Sequence, residues 1–176
     1  MFMTPRLGTR ALGRRDLLKG GALIVGFAIA GAPLSAAAAT GGTTTGDLGK
    51  PLALDEVASF LAITADGTAI IYSGKVDLGT GVETAITQIA AEELDLPLER
   101  VSVIQGDTAL TPNQGPTWGS LSIQAGGMQI RHAAATARQA LVEMAAKKLG
   151  AQPHELVIAE GVIRPELGGD GVSYAE

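Results

Sequence analysis

The sequence predicts an α+β domain in which two helices pack on one face of a mixed sheet, in the order β-β-α-β-α-β-β. Strand-like patterns of apolar residues occupy short segments on both sides of residue 66, near residue 103 and at the end of the chain. Two longer stretches, 82–96 and 124–149, carry apolar residues at helical spacing instead. Period-two and continuous short apolar runs are typical of strands, and recurrence at three and four residues is typical of amphipathic helices.

Recognisable turns separate the strands. Residues 58–74 predict a hairpin that turns at Asp66-Gly67, a pair suited to such turns because glycine tolerates a positive φ. The segment RVSVIQGD, residues 100–107, predicts one short strand. Residues 155–166 predict the last two strands, which turn around Glu160-Gly161.

The two helices differ in length and share an alanine-rich apolar stripe. The first is expected to end before Pro97, because the residue that precedes a proline is disfavoured in the helical region. Gly150 is predicted to end the second helix. The predicted apolar stripes consist of Val82, Ala85, Ile86, Ile89, Ala90 and Leu94 in the first helix, and of Ile130, Ala133, Ala134, Ala137, Leu141, Met144 and Ala145 in the second.

Residues 1–39 have the layout of an export signal. Arg14-Arg15 precedes a short run rich in glycine, alanine and isoleucine, which ends in small residues suited to cleavage. The paired arginines are typical of a twin-arginine signal and predict a periplasmic protein. A membrane anchor is the alternative, although a span needs about 20 mostly apolar residues. We interpret residues 40–54 as a linker and 55–176 as the folded domain.

Charge and cysteine content exclude several functions. Without residues 1–39 the chain has eight basic and seventeen acidic residues, a net charge of −9, which argues against a nucleic-acid partner. No cysteine is present, so the chain cannot build a disulfide, a thiolate zinc site or an iron–sulfur cluster. His132 and His154 lack partners at ligand spacing and are expected on the surface. The acidic run at residues 92–95 is interpreted as a solvated helix face rather than a metal site.

Two glycine-containing loops lead into the two predicted helices. Gly79-Thr80-Gly81 precedes the first helix, where free backbone N–H groups favour an anion such as phosphate. A simple tight turn is the alternative. Glu83 lies in the first helical turn, where its negative charge is interpreted as stabilising the helix by interaction with the positive end of the helix dipole.

The second loop, GPTWGSLSIQAGG, occupies residues 115–127 and contains no acid, base or cysteine. It offers the hydroxyls of Thr117, Ser120 and Ser122, the unobstructed backbone of its glycines, and Trp118, the one tryptophan of the chain. Together the two loops suit a large, flat, anionic ligand that supplies its own reactivity. The alternative is that this loop merely turns the chain while Trp118 fills the core.

Residues 74–138, from GKVDLGTG to the helical segment HAAATAR, resemble the large, molybdenum-binding subunit of the molybdenum hydroxylases, which include xanthine dehydrogenase and aldehyde oxidase. Within that family they are most similar to the bacterial branch formed by the large subunits of isoquinoline 1-oxidoreductase and nicotinate dehydrogenase. The resemblance implies a molybdopterin cofactor in its cytosine dinucleotide form, with molybdenum. It also implies oxidative hydroxylation of an aldehyde or an N-heteroaromatic substrate.

Residue roles follow from the same resemblance. The cofactor-binding positions of the family fall on Gly79, Thr80 and Gly81 in the first loop and on Gly119, Ser120, Leu121 and Ser122 in the second. Trp118 falls beside the substrate pocket. The resemblance implies no direct protein ligand to the metal.

The resemblance also implies that other polypeptide completes the enzyme. The catalytic glutamate of the family has no counterpart in this chain, which corresponds to an N-terminal portion of the large subunit. The expected partners are the remainder of that subunit, a small subunit that carries the iron–sulfur clusters, and an electron acceptor such as a cytochrome. The alternative is a non-catalytic periplasmic module that has the same fold and has lost the cofactor.

Overall fold

The computed structural model describes residues 51–176, so the predicted export signal and most of the predicted linker lie outside the described residues. The described part contains six strands and two α-helices. In chain order they are β1 (Leu61–Ile63), β2 (Ala69–Ser73), α1 (Val82–Leu94), β3 (Val101–Gln105), α2 (Met128–Leu149), β4 (Leu156–Ala159), β5 (Val162–Pro165) and β6 (Val172–Ser173). The predicted α+β class is confirmed.

The first sheet begins with the predicted hairpin. β1 and β2 pair antiparallel, and the turn between them contains Gly67 at a φ of +77°. The Asp66 carboxylate accepts a hydrogen bond from the Thr68 N–H at 3.0 Å, which closes the turn. The tight turn therefore results from one positive-φ glycine and one local carboxylate.

β3 joins this sheet on the other side of β2, in the order β1-β2-β3, and runs parallel to β2. Ser73 and Gln105, the last residues of the two strands, are register partners. Parallel neighbours require a crossover connection, and α1 supplies it. The carboxyl ends of β2 and β3 consequently lie side by side, where the chain enters α1 from one strand and the second loop from the other.

The two helices share one apolar core with the first sheet. The buried residues of α1 are Val82, Ile86, Ala90, Ala91 and Leu94, and those of α2 are Ile130, Ala133, Ala134, Ala137, Ala140, Leu141, Ala145 and Ala146. Their many alanines allow the helices to approach closely. Across the described residues, neither helix is long and apolar enough to cross a membrane.

One member of the predicted α2 stripe was wrong. Met144 is 45% exposed, whereas Ala140 and Ala146 are buried. The buried residues follow i, i+4 spacing from Ala137 to Leu141 and then to Ala145, so residue 144 lies outside the buried row. The predicted stop is correct, because Gly150 follows the helix with a φ of +66°.

The closing strands form a second sheet rather than extending the first. The expectation of a single sheet with two terminal strands is therefore corrected to two three-stranded sheets, the second with the order β4-β5-β6. The predicted hairpin between β4 and β5 is present, and Glu160 and Gly161 adopt φ values of +51° and +76°. Strand patterning alone does not specify which strands pair, because backbone hydrogen bonds are the same in every sheet.

The second sheet is attached at the carboxyl end of α1. The Gly161 N–H donates to the Asp95 carbonyl at 2.8 Å, and the buried Tyr174 hydroxyl donates to the Leu94 carbonyl at the same distance. Burial raises the pKa of Tyr174 to about 12. These contacts supply donors to carbonyl groups that have no hydrogen-bond partner within the helix itself.

Tyr174→Phe tests this attachment. We expect the free energy of unfolding to fall by about 1 kcal/mol, the typical net value of one buried hydrogen bond. Because the folded state holds the phenol proton more tightly, wild-type stability should be intact below the ordinary tyrosine pKa of 10 and decline toward pH 12. Urea unfolding across this alkaline range should show a shallower decline in the variant. Equal pH slopes would contradict the assignment.

Candidate functional site

The first loop, residues 76–81, leaves β2 and is organised by Asp77. Its Oδ1 accepts from the N–H groups of Gly79 at 2.7 Å and Thr80 at 2.8 Å, and its Oδ2 accepts from the N–H of Glu83 at 3.1 Å. These donors, that of Glu83 above all, hold the pKa of Asp77 below its usual value. The expectation of free N–H groups at this position was therefore wrong for Gly79 and Thr80.

Gln105 connects the first loop to the end of β3. Its Oε1 accepts from the Asp77 N–H at 2.6 Å, and its Nε2 donates to Glu83 Oε2 at 2.7 Å. Gln105 can reach both partners because the parallel pairing places it beside the last residue of β2. Glu83 thus has a structural partner in addition to its position in the first turn of α1.

The second loop has an irregular backbone between Gly115 and Ser122. Gly115, Gly119 and Ser120 have φ values of +75°, +59° and +58°. A positive φ costs glycine little, whereas a residue with a Cβ is strained there. Gly119, Ser120 and Leu121 are all exposed, and Ser122 is buried.

The second loop continues into a π-helix, Ser122–Gly127, that runs directly into α2. The helical region therefore begins two residues before the predicted start at Gln124. π-Helical turns are rare and occur frequently at functional sites. Among residues 51–176, no side chain caps the start of this turn, whereas the Asp77 carboxylate accepts from an amide at the start of α1.

The glycines at the end of the π-helix serve packing. A Cβ on Gly126 would lie 2.7 Å from Lys75 Cγ, and one on Gly127 would lie 3.1 Å from Ile89 Cδ1. The expectation of unobstructed backbone was wrong at these two positions. It holds at Gly119, where a Cβ would lie 3.9 Å from the nearest atom, Leu121 Cγ. In the first loop, a Cβ on Gly79 or Gly81 would meet no atom of the described residues within 4 Å.

Three side chains connect the two loops or the residues that directly precede them. The Thr117 hydroxyl accepts from the Val76 N–H at 3.0 Å. Gln114 Oε1 accepts from the Gly74 N–H at 2.8 Å. Lys75 Nζ donates to the carbonyl of Pro116 at 2.8 Å. The predicted loops therefore lie beside each other at the carboxyl ends of β2 and β3, the edge at which open α/β sheets commonly bind ligands.

The exposed side of the joined loops is apolar as well as polar. Leu78 is 71% exposed, Trp118 69% and Leu121 40%. The alternative in which Trp118 fills the core was therefore wrong. Exposed apolar side chains of this size, on loops that also present polar groups, suit contact with a ligand or another protein.

The other polar residues singled out in the sequence lie elsewhere. His132 and His154 are exposed, as expected. In the acidic run, Glu93 forms an ion pair with Arg131, and Asp95 forms one with Arg138 at 2.9 Å. These carboxylates join α1 to α2, which corrects the interpretation of the run as a merely solvated face.

Sequence inspection missed the residues that organise the loops, namely Lys75, Asp77, Gln105 and Gln114. Lys75, Gln105 and Gln114 have partners up to 41 positions away, so no spacing rule could find these three residues. One local signal was available for Asp77, because an aspartate two residues before a glycine commonly accepts from the backbone ahead of it.

The two exposed loops present hydroxyl and backbone groups at one edge of a sheet, an arrangement typical of an α+β domain that binds a ligand. Residues 19–176 match the molybdopterin cofactor-binding domain family. The chain belongs to this family, and the resemblance drawn from residues 74–138 is confirmed.

Individual relatives are consistent with this family assignment. A nicotinate dehydrogenase subunit of Pseudomonas putida is 44% identical over 121 residues, 69% of this chain and 10% of the relative. The 6-hydroxypseudooxynicotine dehydrogenase complex subunit gamma of Paenarthrobacter nicotinovorans is 30% identical over 99 residues, 56% of this chain and 12% of the relative. The chain thus spans about a tenth of the length of these curated relatives.

Solved structures show the same fold. Quinoline 2-oxidoreductase from Pseudomonas putida 86 superimposes with a TM-score of 0.57 and 26% identity, over 65% of this chain and 15% of the other. The Cu,Mo-containing CO dehydrogenase gives a TM-score of 0.59 and 25% identity, over 66% and 15%. The fold of the described domain therefore occurs as one part of larger oxidoreductase chains.

Ser120→Gly tests the backbone strain in the second loop. A left-handed conformation costs an L-residue about 1–2 kcal/mol, and the added freedom of an unfolded glycine offsets roughly half of that. We expect the free energy of unfolding to rise by up to about 1 kcal/mol in urea titrations. Ser102→Gly, in the extended backbone of β3, is the control and should lower it. A destabilised Ser120→Gly would mean that the serine side chain holds the loop.

Proposed function

We propose that this chain is the cofactor-binding N-terminal part of the large subunit of an exported molybdenum hydroxylase. The observation that carries the proposal is the pairing of two exposed loops at the ends of β2 and β3, in a chain that belongs to the molybdopterin-binding family. Gly79, Thr80 and Gly81 would hold the cofactor from the first loop. Gly119, Ser120, Leu121 and Ser122 would hold it from the second.

The two loops suit different parts of the cofactor. Asp77 engages the amides of Gly79 and Thr80 and places a negative charge behind them, so the first loop suits uncharged, hydrogen-bonding groups. The second loop has no acid and begins an uncapped helical turn, which presents N–H groups and the positive end of a dipole. The phosphate groups of a dinucleotide cofactor are therefore assigned to the Ser120–Ser122 side. The donor set fits the proposed group.

The bound molybdenum cofactor would supply the chemistry, the oxidative hydroxylation of an aldehyde or an N-heteroaromatic ring. The residues of this chain would bind and orient it, since the second loop contains no acid or base. The catalytic glutamate would come from the remainder of the large subunit. Electrons would pass to a small iron–sulfur subunit and then to an acceptor such as a cytochrome.

Trp118 is proposed as a wall of the substrate pocket. Its side chain is 69% exposed and directly follows Thr117, the residue that ties the second loop to the first. A flat indole suits stacking against a flat aromatic substrate. This position therefore favours the N-heteroaromatic class over small aldehydes.

The cofactor assignment is tested by removing both hydroxyls. In the complete enzyme complex, Ser120→Ala/Ser122→Ala should lower the molybdenum and pterin content about tenfold or more. Each hydrogen bond to a charged group contributes about 1.5–3 kcal/mol, and 1.4 kcal/mol corresponds to a factor of ten. Elemental analysis and pterin fluorescence of the purified complex give both contents, with Ser102→Ala in β3 as the control.

The same measurement separates the second candidate function, a non-catalytic periplasmic module of this fold. The occupied amides of the first loop favour that candidate, because they leave fewer groups for a ligand. A complete wild-type complex without molybdenum would support the module and refute the enzyme. Normal cofactor content in the double variant would refute the assignment of the phosphate groups.

Export through the twin-arginine pathway completes the proposal. This route carries folded proteins, which suits an enzyme that receives its cofactor in the cytoplasm. Arg14→Lys/Arg15→Lys should move the protein from the periplasmic to the cytoplasmic fraction in cell fractionation. Arg6→Lys/Arg10→Lys, in the same basic region, is the matched control. Periplasmic protein in the first variant would contradict the proposed route.

A further inference from the structure

Lys75 is a lysine in an unusual environment. It is 2% exposed, although lysine is almost never fully buried unless its charge is paired. Its Nζ donates to the carbonyl oxygens of Pro116 at 2.8 Å and Gly115 at 3.3 Å. Within residues 51–176 the ion pairs involve other cations, namely Arg131, Arg138 and Lys148. Backbone carbonyl groups, rather than a carboxylate, therefore compensate this charge.

The stem of Lys75 passes directly under the π-helix. Its Cγ and Cε would lie 2.7 Å and 3.3 Å from a Cβ at Gly126. Only a residue without a side chain leaves room for the lysine to cross at this point. The lysine thus starts at the end of β2, crosses beneath the start of α2, and reaches the beginning of the second loop.

Gln114 also connects the end of β2 to the π-helix. Its Oε1 accepts from the Gly74 N–H, and its Nε2 donates to the Gly126 carbonyl at 3.1 Å. Residues 74 and 75 are consequently linked to both ends of the second loop. Because the first loop begins at the next residue, Val76, its distance from the second loop depends on these links.

We expect the fold to remain stable without a charge at this position. An isolated buried cation is costly, and apolar replacement of buried charges is often neutral or stabilising. The two acceptor residues, Gly115 and Pro116, are themselves partly or fully exposed, so water can satisfy their carbonyl groups if the ammonium is removed. What the ammonium does provide is a fixed position for these carbonyl groups.

We propose that Lys75 is the positioning residue of the cofactor site: its buried ammonium holds Gly115 and Pro116, and so sets the second loop at a fixed distance from the first before ligand binds. The identity of the ligand rests on the proposed function above, whereas the tether itself does not. Lys75 acts through the backbone and does not touch the ligand.

The test uses Lys75→Met, which keeps the stem against Gly126 and removes the donors, and Lys75→Gln, which keeps a shorter donor. Lys147→Met, at an exposed position of α2, is the matched control. Each variant is prepared as the full chain in its complex. Three quantities are measured: hydrogen exchange of the amides in residues 115–123, the thermal unfolding temperature, and bound molybdenum and pterin.

We expect exchange in residues 115–123 to accelerate about tenfold in Lys75→Met, equivalent to about 1.4 kcal/mol of local opening, while the unfolding temperature stays near that of the control. Cofactor content should fall several-fold. Lys75→Gln should lie between wild type and Lys75→Met in both quantities, because it restores part of the donor.

Three results would overturn the proposal. Unchanged exchange in the loop would show that Lys75 does not hold it. Faster exchange with full cofactor content would show that the tether does not matter for binding. A large drop in the unfolding temperature of Lys75→Met would show that Lys75 stabilises the core instead. The same conclusion would follow if Lys75→Met does not fold and Lys75→Gln shows no change in loop exchange. If wild type holds no molybdenum, the proposed function fails, and the exchange data still decide whether Lys75 orders the loop.

Discussion

The parallel pairing of β2 with β3 is the constraint on which the rest of the described structure depends. It requires a crossover, and α1 is that crossover. It also brings the ends of two strands together, so that the chain leaves one of them for α1 and the other for the second loop. Gln105, Thr117 and Gln114 can then bridge segments that are far apart in sequence. Without this pairing, the two glycine-containing loops would have no reason to meet.

The joined loops use their polar groups differently. One loop is held internally by a carboxylate, Asp77, which engages amides that an anion would otherwise use. The other leaves its helical start uncapped and exposes the Ser120 backbone in a left-handed conformation. Strain of this kind persists only where the surrounding structure enforces it, and Lys75 and Thr117 make hydrogen bonds in the segment that leads to Ser120. The two neighbouring loops therefore differ in the polar groups that they leave unoccupied.

The second sheet is attached to the domain through the end of α1. It does not extend the first sheet, and its Gly161 and Tyr174 donate hydrogen bonds to carbonyl groups at the carboxyl end of α1. The carboxyl end of α1 is thereby covered while its amino end remains beside the loops. Ion pairs from Glu93 and Asp95 to α2 fix the two helices relative to each other. The loops therefore lie at the amino end of α1, and the contacts that hold α1 in place are made at its carboxyl end.

The sequence by itself determined the class of fold, the hairpin turns, both helices and the family, because these depend on local periodicity, on turn residues such as Gly67 and on a contiguous motif. The tertiary structure alone decided that the strands form two sheets and that Trp118 is exposed. It also decided that a buried Lys75 donates to carbonyl groups at the start of the second loop. The physical reason is that these features depend on contacts between residues as much as 80 positions apart, and local patterns carry no information about them.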